Sequence, residues 1–194
     1  DISGFFNIFD LSVKNNIKRI FYASSSEVYG EPIELPLKEE ETPLNTQLPY
    51  AKVKSIGESF CKSYFKEFNL PFTIIRLFNT YGPNQSEDFV IAKFIDLALR
   101  DKNIEVYGDG NQTRTFCYVD DTVGAIVKML QEEKAINEVI NVGSDIEIQI
   151  NDLAILIKKI LSSNSEIINI SALEEGDMTR RKPDNTKMIR ILKK

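Results

Sequence analysis

Short apolar runs alternate along this chain with stretches of helical period, and that alternation restricts the fold more than any other feature. The runs within Lys18–Ser24, Phe72–Leu77 and Val139–Val142 are short and bounded by polar segments. They read as strands buried on both faces. Ile2–Asn15 carries Phe5, Ile8 and Phe9 at helical spacing. Tyr50–Phe68 follows Pro49, a residue suited to a helix start. Phe89–Lys102 puts Val90, Ile91, Phe94, Ile95, Ala98 and Leu99 on one face of a helix. Further strands are expected at Ile104–Tyr107, Thr115–Val119 and Ile167–Ile170. Further helices are expected from Asp120 to Leu130 and from Asn151 to Leu161, each capped by its first residue, and from Asn185 to Lys193. Strand–helix alternation with short connections predicts a parallel α/β sheet. Ligands of such sheets bind beyond the carboxyl ends of the strands. That rule singles out Ser24-Ser25-Ser26 and Phe78-Asn79-Thr80.

Composition removes several kinds of chemistry. Histidine is absent, which excludes Ser-His-Asp hydrolysis, Cys-His nucleophiles and histidine metal ligands. A general base must then be Tyr, Lys, Asp or Glu. The two cysteines, Cys61 and Cys117, have no paired spacing and lie among apolar residues. They are expected in the core of a protein from a reducing cytoplasm, with no disulfide and no metal site. Gly108-Asp109-Gly110-Asn111 lacks the downstream ligands of a calcium loop and reads as a turn. A net charge of −5 argues against nucleic acid as a partner. No apolar run is long enough to cross a membrane, and the residues around Ser3 lack the basic start of a secretory signal. From Asp177 onward seven Lys or Arg face two acids, which suits either a phosphate contact or a solvated basic end.

Tyr50 and Lys54 are four apart and share a helix face. A lysine ammonium beside a phenol favours the phenolate, so such a tyrosine can act as a general acid/base. A serine hydroxyl from a strand end can hold the reacting oxygen. The three groups suit proton removal from an alcohol while a hydride leaves its carbon. The Tyr-Lys spacing alone is close to chance. Its context, a serine cluster at a strand end followed by a loop and then this helix, carries the weight.

The stretches Ala23-Ser24-Ser25-Ser26-Glu27-Val28-Tyr29-Gly30, Pro49-Tyr50-Ala51-Lys52-Val53-Lys54 and Arg76-Leu77-Phe78-Asn79-Thr80-Tyr81-Gly82-Pro83 resemble the extended short-chain dehydrogenase/reductase family. More narrowly, they resemble its NAD-dependent nucleotide-sugar epimerases, dehydratases and decarboxylases. Val106–Arg114, Tyr118-Val119-Asp120-Asp121, Asn141-Val142-Gly143-Ser144 and Arg180-Arg181-Lys182-Pro183-Asp184 agree, so the likeness runs the length of the chain. It implies the C-terminal part of a doubly wound, Rossmann-type parallel sheet plus a smaller α/β substrate-binding lobe. The expected division assigns 1–88 to the NAD-binding domain, with 114–138 packing back on it. It assigns 89–113 and 139–194 to the nucleotide-sugar lobe. The resemblance implies Ser25, Tyr50, Lys54 and Glu27 as catalytic residues. Ser24, Tyr50 and Lys54 would contact NAD. Ser26, Asn79, Tyr107, Arg114 and one or both of Arg180 and Arg181 would bind the substrate, the arginines because a planar fork grips phosphate. The Gly-rich phosphate loop and ribose-reading acid that open this family are not in the sequence. About 80 residues are therefore expected upstream, from the size of the preceding βαβ units, and this chain alone is expected to be inactive.

All members first oxidise a sugar alcohol. Ser26 stands where dTDP-glucose dehydratases carry an Asp, which disfavours that water elimination. Glu27 is shared with decarboxylases and some dehydratases, whereas many 4-epimerases have a small residue there. The expected activity is a UDP-sugar 4-epimerase, with decarboxylation or 4,6-dehydration as the alternative and a non-catalytic nucleotide-binding module as an alternative of another class. A homodimer is expected through Phe5 and Phe9 of the first helix and Phe60, Cys61 and Tyr64 of the second.

Overall fold

The computed structural model describes residues 2–172 and 180–193; Asp177 and Lys194 of the basic end lie outside them. The elements in order are α1 (Ile2–Lys14), β1 (Ile20–Ser25), α2 (Pro49–Phe68), β2 (Phe72–Leu77), β3 (Thr80–Tyr81), α3 (Val90–Leu99), β4 (Ile104–Tyr107), β5 (Thr113–Thr115) and β6 (Cys117–Tyr118). They continue with α4 (Val119–Gln131), β7 (Glu138–Val142), β8 (Glu147–Gln149), α5 (Ile150–Ile160), β9 (Ile167–Ile170) and α6 (Thr186–Leu192). A 3-10 turn, Ser26–Tyr29, follows β1 directly.

The main sheet has the order β1-β2-β7, all parallel. β2 sits in the middle and is buried almost throughout, which is why its sequence is a continuous apolar run. α1 and α2 cover one face, where Phe9, Tyr22, Cys61, Phe72 and Ile74 form a core. α4 and α6 cover the other, over Ile75, Met129, Ile140, Val142 and Ile191. A second unit pairs β4 with β9 in parallel. α3 and α5 pack on it through Phe94, Ala98, Ile104, Val106, Leu153 and Ile157.

Several expectations need correction. The boundary at 139 is wrong for two elements. β7 pairs with β2 from Thr73↔Glu138 to Leu77↔Val142, and α6 packs on the same sheet. The 3.6- and 2-residue periods reveal an element's type but not which sheet it joins. Residue 116 splits the expected strand 115–119 into β5, antiparallel to β8, and β6, parallel to β3. Neither Asp120 nor Asn151 caps its helix. Asp120 lies inside the first turn of α4, and Asn151 donates to the carbonyl of Asp109 at 2.8 Å. Cys61 is buried, but Cys117 is only half-buried.

Gly30 ends the 3-10 turn with φ 69° and ψ −157°, a conformation essentially restricted to glycine. A Cβ there would stand 2.5 Å from the carbonyl oxygen of Asn45. Gly30→Ala is therefore expected to cost about 1–3 kcal/mol, read as a lower urea midpoint at unchanged slope.

Candidate active site

The site grows from the carboxyl end of β1. Successive side chains of a strand point to opposite faces, so neighbouring serines have different surroundings. Ser24 turns into the sheet–α2 interface, where its hydroxyl donates to Glu58 Oε1 at 2.6 Å. That hydroxyl is committed to the core, which leaves the backbone of Ser24 for the expected cofactor contact. Ser25, at the strand end, accepts from the Glu27 amide at 3.2 Å and caps the 3-10 turn. This is a strand-to-turn junction with one backbone amide bound to the hydroxyl.

α2 lies along β1 and brings Tyr50 and Lys54 to the same end. Lys54 Nζ donates to the carbonyl of Ala23 at 2.8 Å, two residues before Ser25. It also lies 5.7 Å from the ring centroid of Tyr50 and 5.6 Å from that of Tyr22. Only one of three ammonium donors is used on Ala23, so the group retains donors for a ligand. Tyr50 is 58% exposed and open to a ligand. The helix can approach β1 this closely because residue 57 is glycine; a Cβ would fall 2.1 Å from the Tyr22 hydroxyl. Burial pushes the phenol of Tyr22 well above its ordinary range, helped by the neighbouring Cys61, Glu58 and Tyr50, so Tyr22 stays protonated.

Glu27 and Ser26 meet a residue from the far end of the chain. Arg181 NH1 donates to Glu27 Oε1 at 2.7 Å and to Ser26 Oγ at 3.5 Å, and Arg181 is buried. Arg180 points elsewhere, forking onto Glu147 at 2.9 to 3.1 Å. The two adjacent arginines are thus separated: one closes over the strand end, the other braces β8.

Asn79, Tyr107 and Arg114 line a cavity of about 290 Å³ formed by the segment after β2 together with α3, β4 and β5. Its walls also include Phe89, Val90, Lys93, Gln112 and Phe116. The Lys93 ammonium lies 5.2 Å from the Tyr107 ring centroid and 3.2 Å from Glu105. Gln112 donates to the Tyr107 carbonyl at 3.0 Å and fixes that wall. Aromatic and aliphatic walls with a few placed polar groups describe a small-molecule site. Arg180 and Arg181 do not line it, so the expected substrate residues divide into two groups.

Sequence reasoning missed Glu58 and Arg76. Arg76 grips Glu58 through Nε–Oε1 at 3.0 Å and NH2–Oε2 at 2.8 Å, with both side chains 2% exposed. The signal was present: an arginine inside an apolar strand, and an acid four residues after Lys54 on the same helix face. Arg76 NH1 also donates to the Tyr29 hydroxyl at 2.9 Å, which donates to Asn141 Oδ1 at 2.7 Å. Burial pushes the Tyr29 phenol up to about 12 against the opposing pull of Arg76, so it remains a donor.

The arrangement defines an α/β protein with polar side chains gathered at the carboxyl end of a parallel strand and a separate cavity beside them. The profile of the NAD dependent epimerase/dehydratase family matches residues 1–143. Among similar proteins, a putative UDP-glucose 4-epimerase of Methanocaldococcus jannaschii is 37% identical across 93% of this chain and 59% of its own length. A UDP-N-acetyl-alpha-D-glucosaminuronate decarboxylase of Bacillus cytotoxicus is 36% identical across 94% of this chain and 60% of its own. Among solved structures, UDP-N-acetylglucosamine 4-epimerase from Methanobrevibacter ruminantium, in complex with UDP-N-acetylmuramic acid, superposes with a TM-score of 0.92 at 32% identity, covering 99% of this chain and 62% of that one. This chain belongs to the NAD-dependent epimerase/dehydratase family. It spans about three-fifths of the length of these relatives.

Proposed function

We propose that this chain forms the catalytic end and substrate lobe of an NAD-dependent nucleotide-sugar 4-epimerase acting on a UDP-sugar. The observation that carries the reading is Lys54, held on the Ala23 carbonyl beside the exposed Tyr50 and two residues from Ser25. In this reading Tyr50 takes the proton of the sugar hydroxyl that is oxidised and returns it at the end. Ser25 holds the same oxygen by a hydrogen bond. Lys54 stabilises the phenolate and holds the nicotinamide ribose with its remaining donors. Bound NAD supplies the hydride acceptor. Asn79, Tyr107 and Arg114 hold the nucleotide in the adjoining cavity.

The residues here suit the nicotinamide end of the cofactor; a Gly-rich cradle for its pyrophosphate is not among them. β1 pairs on one edge only among the described residues. The working, intact enzyme is therefore proposed to join this chain to further parallel strands beside β1. It is proposed as a cytoplasmic homodimer. Phe5, Phe9, Phe60 and Tyr64 pack α1 against α2 within the chain, and Cys61 is buried. The dimer surface would instead use Phe6, Leu11 and Phe68, which are about half exposed.

Decarboxylation of a nucleotide-linked uronic acid is the second reading, favoured by the cation of Arg181 beside Ser26 and Glu27. The test is to incubate the intact enzyme with UDP-glucose, UDP-glucuronate and dTDP-glucose and identify the products by NMR. A C4-inverted sugar is expected. A pentose product selects decarboxylation, and a 4-keto-6-deoxy product selects dehydration.

A further inference from the structure

We propose that Glu58 and Arg76 are positioning residues that set the seat of α2 on β1, and through it the placement of Tyr50 against Ser25. The proposal rests on the reading that Tyr50 and Ser25 act on the sugar hydroxyl. It starts from the sheet register. Ser24 lies opposite Arg76, and Arg76 opposite Asn141, so one polar row crosses all three strands. The next row toward the carboxyl ends is Ser25, Leu77 and Val142. The polar row is thus one residue below the candidate reacting centre.

α2 reaches this row with Glu58, which follows Tyr50 and Lys54 at successive four-residue steps along one helix face. Two adjacent turns of α2 are tied to two adjacent residues of β1. Lys54 Nζ binds the Ala23 carbonyl, and Glu58 Oε1 accepts from Ser24 Oγ. Arg76 locks the same carboxylate from β2 with a two-pronged contact. Through Tyr29 and Asn141 the network continues to β7 and to the turn after Ser25. Sliding α2 by a residue would break every one of these bonds inside the core.

A buried ion pair is a weak source of stability, because desolvation offsets attraction and apolar pairs of similar size often replace it without loss. Apolar side chains, Tyr22, Cys61 and Ile74 among them, already hold this helix–sheet interface. What a two-pronged, fully satisfied pair adds is one allowed geometry. That geometry matters where a reacting oxygen must lie within hydrogen-bond reach of two groups on different elements.

The test uses the intact enzyme with four variants beside wild type: Tyr50→Phe, Ser24→Ala, Glu58→Leu, and the paired Glu58→Leu with Arg76→Met. The paired variant is expected to fold, with a urea midpoint above that of Glu58→Leu alone. Its kcat should fall on the order of tenfold to a hundredfold, as misplacement of a reacting group does. KM should change little, because the nucleotide is held in a separate cavity. Ser24→Ala cuts one tie and leaves the ion pair intact. It should lower kcat by a smaller factor and lower the urea midpoint through the loss of one hydrogen bond to a charged group, and it decides the question if the paired variant does not fold. Wild-type kcat in a folded paired variant, or in Ser24→Ala when the pair does not fold, would overturn the proposal. Wild-type turnover in Tyr50→Phe would instead overturn the reading of the centre on which the proposal rests.

Discussion

Tyr50→Phe in the intact enzyme is expected to lose turnover by about 10²–10⁴-fold, the usual contribution of a positioned general acid/base. The substitution removes one oxygen and little else. Tyr50 is 58% exposed at the first turn of α2, so no core packing depends on its hydroxyl. The ring over which Lys54 sits is kept. Nucleotide affinity, measured by calorimetry with UDP, should stay near wild type, because Asn79, Tyr107 and Arg114 are untouched. Turnover within a few-fold of wild type would move the proton transfer elsewhere. Glu27 would then be the next group to examine, since it stands at the same strand end and the chain has no histidine.

Glu58→Leu is expected to destabilise the fold more than Gly30→Ala does, costing about 3–5 kcal/mol. The leucine itself suits its surroundings. The cost arises from Arg76, which is 2% exposed and would keep a full charge with no carboxylate beside it. Tyr29 and the Glu39 carbonyl would still accept from its NH1. Nε and NH2 would lose their acceptors, and Ser24 would lose its partner as well. The measurement is the urea midpoint by circular dichroism. A loss below about 1 kcal/mol would mean that water reaches Arg76 more freely than its burial implies.

The sequence exposes some parts of this structure and hides others for identifiable reasons. β1, β2 and β7 are visible because strands buried on both faces are written as continuous apolar runs. The sheet membership of β7 is not visible, since Val-Ile-Asn-Val fits either sheet and pairing partners are distant in sequence. β3, β6 and β8 are two or three residues long, too short to show any period. The difference between Ser24 and Ser25 was available from strand alternation alone, because one of two neighbours must face the helix. Glu58 and Arg76 announced themselves as charges in apolar positions; that they pair with each other depends on α2 crossing β2, which no local pattern records. Arg181 reaches Glu27 across 154 residues, and its chemistry alone could not tell a phosphate partner from a carboxylate one.

The central claim is that Ser25, Tyr50 and Lys54 together hold and deprotonate a sugar hydroxyl at the end of β1, so that bound NAD can accept the hydride from its carbon. The most direct measurement is rapid mixing of NAD-loaded intact enzyme with UDP-glucose, following reduced nicotinamide by absorbance within one turnover. Reduced nicotinamide should rise and decay in wild type and fail to accumulate in Tyr50→Phe. Sugar conversion without any transient reduction, or an equal transient in Tyr50→Phe, would contradict the account.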